Sequence, residues 1–165
     1  MGHHITGIVG VLEHVTGIAI EHKLDLPAPL NGGWAFLALD DSDLDKLFSP
    51  PQDFLGGDFI YLSQQLIQFL IENSSASPLA YIETDYFGGV GTQGALACHK
   101  AAQIGEPLTG RDAINAALAS IGANASGGGD LFNRIGLSSL RNNEDAKEAN
   151  QQNSGTYVDR PRRSS

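Results

Sequence analysis

A chain of 165 residues, 41% hydrophobic, has the size and make-up of one globular domain with its own core. Its formal net charge is −9, and residues 1 to 99 hold twelve acids against two bases, Lys23 and Lys46, with no Lys or Arg between 47 and 99. Binding to phosphate backbones relies on clustered cations, so this balance argues against nucleic acid as the main partner; the lone Cys98 excludes an internal disulfide, and no run reaches the ~18 apolar residues of a membrane span.

In chain order, TGIVGVLEHV and TGIAIEHK form a short internal echo, β-branched and apolar, and predict two strands joined as a hairpin through Glu13 to Thr16. The N-terminus lacks the basic region of a signal segment. Met1 to Thr6 fits a myristoylation pattern that six residues match too easily to carry weight. After the turn-rich Pro27 to Gly33, WAFLALDD predicts a third strand, and Asp41 or Ser42 then caps a short helix to about Phe48. The segment Asp58 to Asn73 predicts a helix from Phe59, Leu62, Leu66 and Phe69. Its opposite face, with Gln64, Gln65 and Gln68, is uncharged and suits a contact in a homo-oligomer.

Leu79 to Phe87 predicts a strand, and residues 92 to 99 its hairpin partner. Thr109-Gly110-Arg111-Asp112 resembles a capping box, with Asp112 in the acidic position, for a helix carrying Ile114, Ala117, Leu118 and Ile121 and closed by Gly122. Residues 124 to 129 read as a flexible link, and Asp130 caps a further short helix, LFNRI. From Asn142 the composition turns polar, so the expectation is a single domain over 1–141 and a flexible tail over 142–165. The order of elements predicts an α+β fold: a mostly antiparallel sheet with helices packed on one face.

Gly89-Val90-Gly91-Thr92-Gln93-Gly94 fits G-x-G-x-x-G. A dinucleotide cradle needs a buried parallel strand before the glycines and a helix opening on the last of them. Here the preceding strand carries Glu83 and Asp85, whose charge would repel pyrophosphate, so a hairpin bend is the better reading. A ligand-binding or enzymatic site centred on residues 83–99, using Gly89, Gly91 and Gln93, is the alternative.

The run YIETDYFGGVGTQ, followed by INAALASIG and GLSSLRNNED, resembles a set of small bacterial proteins of unassigned activity, some of the kind found as immunity partners beside polymorphic toxins. The resemblance spans residues 79 to 146. It implies protein binding and transfers no catalytic residue.

Glu83 and Asp85 share a face if their segment is a strand, flanked by Tyr81 and Phe87, and can form an acidic docking patch. Asp40, Asp41, Asp43 and Asp45 form a second acidic group at a helix start. Lys46 stands where a calcium loop needs glycine, so helix capping is the simpler role. Cys98 and His99, adjacent on a strand, point to opposite faces and cannot act as nucleophile and base for each other. His3, His4, His14 and His22 lack metal-ligand spacing. The sequence therefore predicts a cytoplasmic acidic binding protein, of the immunity type, that neutralises a basic toxin domain through Glu83, Asp85, Tyr86, Asp40, Asp41, Asp43 and Asp45. No catalytic residue, metal or cofactor is expected.

Overall fold

The computed structural model describes residues 2–87, 90–123 and 130–149. Strand β1 (Gly2–His3) and strand β2 (Thr6–Val11) lie in one continuous register against β5 (Leu79–Phe87), from Gly2 opposite Phe87 to Gly10 opposite Leu79. β2 pairs on its other side with β4 (Trp34–Ala38), which carries the two-residue strand β3 (Ala28–Pro29). β5 continues into β6 (Val90–His99), and β6 into β7 (Ala102–Thr109), giving the order β3-β4-β2-β5-β6-β7 with every pairing antiparallel.

The α+β class and the antiparallel sheet are as expected, but helices cover both faces rather than one. The reason lies in the central strands: all five residues of TGIVG in β2 are buried, as are Ala35 to Ala38 in β4, so neither face can be left to water. On one face Ile8, Leu37, Leu79, Tyr81 and Leu96 pack against α1 (Leu12–His22), α2 (Asp41–Leu47) and α3 (Gln64–Asn73). On the other, Val9, Phe36, Ala80, Ile82, Ala95 and Ala97 receive α4 (Ala113–Ser120), α5 (Leu131–Arg134) and a helical segment over 143–149. Alanines meet alanines there, Ala95 and Ala97 of the sheet against Ala113 and Ala117 of α4, so helix and sheet can approach closely.

The second half of the N-terminal echo is helix α1, not a strand. Val15, Ile18 and Ala19 recur at helical spacing and are buried, each larger side chain contributing about 1.5–3 kcal/mol, and Lys23 ends the helix in the left-handed region at φ 59°. The predicted helix over 58–73 begins only at Gln64, because the Ser63 hydroxyl accepts the Leu66 amide and fixes the N-cap there. α2 is capped by Asp40 rather than Asp41 or Ser42, in a reciprocal box with Asp43.

β7 follows β6 through Lys100 and Ala101, both at positive φ, a strand the sequence did not announce. Residues 142–149, expected in a flexible tail, belong to the fold: Asn142 bridges His4, and Ala146 is buried in the core. The expected link at 124–129 and the tail beyond 149 lie outside the described residues. No described helix is long and apolar enough to cross a membrane.

Candidate functional site

The two acidic groups singled out in the sequence have different fates. Glu83 is not on the surface: it is 4% exposed, on the face of β5 that packs against α3. Its carboxylate accepts the backbone amides of Ile60 (2.6 Å), Tyr61 (3.0 Å) and Leu62 (2.9 Å) and the Tyr81 hydroxyl (2.6 Å). Burial, then the nearby Glu83 charge, pushes the Tyr81 hydroxyl well above its ordinary range, so it remains a donor. A buried carboxylate needs such a set of donors, and here the set is a loop with no ladder partner of its own. That explains why residues 58–62 do not continue into helix.

Asp40 and Asp43 face inward to Lys147, whose ammonium lies 2.9 Å from Asp40, 3.0 Å from Asp43 and 3.2 Å from Asp25. Burial disfavours the charged Asp40 carboxyl, but hydrogen bonds from Lys147, Ser42 and the Asp43 amide outweigh it and hold the group well below its ordinary range. Burial raises Asp43. Burial also opposes the charged Lys147, and its bonds to Asp40 and Asp43 prevail, setting it well above the lysine range. These acids pin the 143–149 helix; Asp43 is buried, whereas the Asp40 side chain is 42% exposed. Asp41, Asp45 and Asp85 remain exposed, Asp85 with His4 Nδ1 at 3.5 Å.

Tyr86 sits on the opposite face from Glu83, and there the structure opens a cleft of about 470 Å³ that the sequence did not announce. Its floor is the end of the sheet, with His3, Thr84, Tyr86 and Gln93; its walls are Arg111, Asp112 and Asn115 at the start of α4, and Asp130 and Phe132 of α5. A second hollow of about 290 Å³ shares Tyr86, Gln93 and Arg111 and adds Asp58, Gly91, Thr92 and Gly110.

Gln93 organises this corner. Its Oε1 accepts the Ile114 amide at the α4 N-terminus (3.0 Å), and its Nε2 donates to the Tyr86 hydroxyl (2.9 Å). The helix is therefore capped from the sheet. Asp112 occupies the N-cap position but makes no side-chain cap bond, and the Thr109 capping box does not form. Thr84 Oγ1 meets His3 Nδ1 at 2.8 Å, and Phe132 packs edge-on to the His3 ring. His3 Nε2 is buried with no hydrogen-bond partner among the described groups. Burial is the main cause that lowers the His3 pKa; the Leu137 backbone favours the charged ring, and the charges of Arg141 and His4 oppose it. The net effect favours the neutral imidazole.

Gly91 and Gly94 of the motif serve packing. Val90–His99 is a strand, so no helix opens on Gly94. A Cβ at Gly94 would stand 2.5 Å from the Phe59 ring, and one at Gly91 would collide with the Asp85 carbonyl. Gly89 lies outside the described residues. Gly91 and Gln93 nevertheless line the hollows, so two of the three residues named for ligand binding converge with Tyr86 in space. Burial pushes the Cys98 thiol up to about 11, and it is inert. The described residues hold no group of three or more His, Cys, Asp or Glu able to bind a metal. Neither a protein-family model, nor a curated protein, nor a solved structure matches the chain.

Proposed function

We propose that the protein is an acidic binding protein that occupies a basic protein partner, most concretely an immunity-type inhibitor of a toxin domain. The carrying observation is a surface on which exposed carboxylates without an ion-pair partner among the described residues accompany exposed apolar side chains. The loop latched by Glu83 presents Phe54 and Ile60, 52% and 46% exposed, together with Asp53 and Asp58. Helix α2 presents Asp41 and Asp45.

Tyr61 joins loop to helix: burial first, then the charge of Asp41, raises its hydroxyl, which places the two segments side by side. An apolar centre with a charged rim is the usual make-up of a specific interface, and a net charge of −9 steers a cationic partner to it. Glu83, Asp40 and Asp43 keep a part in this reading as supports of the surface; Asp41 and Asp45 are the contacts.

The test is titration calorimetry of the purified protein with the product of the adjacent gene, with inhibition of any toxic activity of that product as the second readout. Asp41→Lys with Asp45→Lys, and separately Ile60→Asp, are expected to weaken binding about tenfold or more. Wild-type protein that neither binds nor inhibits the neighbouring gene product, or charge reversal that leaves affinity intact, overturns the reading.

A further inference from the structure

The geometry points to the His3–Arg111 cleft as a binding site for a small zwitterion of amino-acid size, its carboxylate on Arg111, Tyr86 and Asn115 and its ammonium on Asp112. This site adjoins the docking surface at Asp58, through the smaller hollow that shares Tyr86, Gln93 and Arg111, but does not depend on that surface.

Several donors lining the cleft have no partner among the described residues. Arg111 makes no ion pair there. The Tyr86 hydroxyl accepts from Gln93, which leaves its own proton to give. The Asn115 side chain uses Oδ1 to hold the Phe132 amide and keeps its Nδ2 group for a ligand. The α4 N-terminus adds a favourable dipole for an anion. On the acceptor side, both Asp130 oxygens are engaged by Phe132 and Asn133, whereas Asp112 makes no cap bond.

The balance of these groups selects the ligand. A bare dianion such as phosphate would sit against Asp112 and Asp130 on a strongly acidic protein, which costs it the gain from Arg111. A bare cation would meet Arg111. A molecule carrying one charge of each sign satisfies both Arg111 and Asp112, and a fork of guanidinium donors suits a carboxylate. The cavity of about 470 Å³ admits such a molecule with room for a side chain, and the Phe132 ring supplies an apolar wall.

The probes are the twenty free L-amino acids, screened by thermal shift and by amide chemical shifts in the purified full chain. At least one is expected to bind and to move the resonances of residues 86, 93 and 111–115. Its N-acetyl and C-amide derivatives, which lack one charge each, are expected to bind about tenfold or more weakly, and inorganic phosphate not at all. A dipeptide that binds as well as the free amino acid would assign the site to a peptide terminus and overturn the size argument.

Arg111→Gln and Asp112→Asn, both exposed positions, should each weaken binding about tenfold, and Tyr86→Phe about threefold, with circular dichroism unchanged. No binding by any amino acid, equal binding by phosphate, or unaltered affinity in Arg111→Gln overturns the inference.

Discussion

The Tyr81 hydroxyl donates to Glu83 Oε2 at 2.6 Å, two residues along the same face of β5, and the same oxygen accepts the amides of Tyr61 and Leu62. A carboxylate with this set of donors is a structural anchor. Glu83→Ala is expected to destabilise the protein by about 3 kcal/mol, since it strips several charge-assisted bonds and leaves buried amides unsatisfied. Glu83→Gln should recover part of that loss. Urea denaturation gives the values, and hydrogen exchange should show faster exchange first at residues 60–62.

Lys147 is expected to matter more than a surface lysine, because its ammonium joins three acids and only 18% of its side chain is exposed. Lys147→Met should cost about 2 kcal/mol, between the values of exposed and fully buried pairs. Limited proteolysis should then cut within 142–149 before the sheet.

The alkaline limb of stability follows from the same residue. The folded pKa of Lys147 is raised above its ordinary value of 10.5, so its contribution is complete below that pH and is lost as pH rises toward the folded value. Tyr81, raised above 10.0, acts in the same direction, because the unfolded chain ionises first. The slope of unfolding free energy against pH above about pH 10 should therefore fall by up to one proton in Lys147→Met, and the wild type should lose stability steeply there. An unchanged slope would remove Lys147 from this role.

His3 governs the acid side near neutrality. Its folded pKa lies below 6.5, so the unfolded chain takes up the proton first; stability is unaffected above that pH and declines as pH falls through 6.5 toward the folded value. Denaturation midpoints at pH 7.5, 6 and 5 should decline in the wild type and decline less in His3→Gln. The imidazole resonances of His3 should titrate below the ordinary histidine value of 6.5.

Gly94→Ala should destabilise by about 1–3 kcal/mol, since Phe59 is buried and must shift to admit the methyl group. The thermal melt should register this, while nucleotides should leave the melting temperature of either protein unmoved.

The sheet hairpin was legible because Leu79 to Ile82 and Ala95 to Cys98 are apolar runs separated by glycines, and the helices with an Asp, Ser or Gly at their ends were legible from those signals. The strand-to-helix change at Val11/Leu12 was not, since β-branched residues suit either state and no capping side chain marks the boundary. β7 was hidden because Gly105 and Pro107 are poor strand formers and an edge strand needs only one neighbour. Glu83 was misread because alternation tells which residues share a face but not which face a loop covers. One sign of the cleft was available: Gln93 is a long polar side chain in the middle of a strand of mostly small or apolar residues, and it supplies the cap that Asp112 does not.

The link from Lys147 to Asp25, Asp40 and Asp43 spans more than a hundred positions. One ammonium thus neutralises three acids drawn from the early part of the chain, so without the 143–149 helix the folded body would hold Asp25, Asp40 and Asp43 together with no shared cation between them.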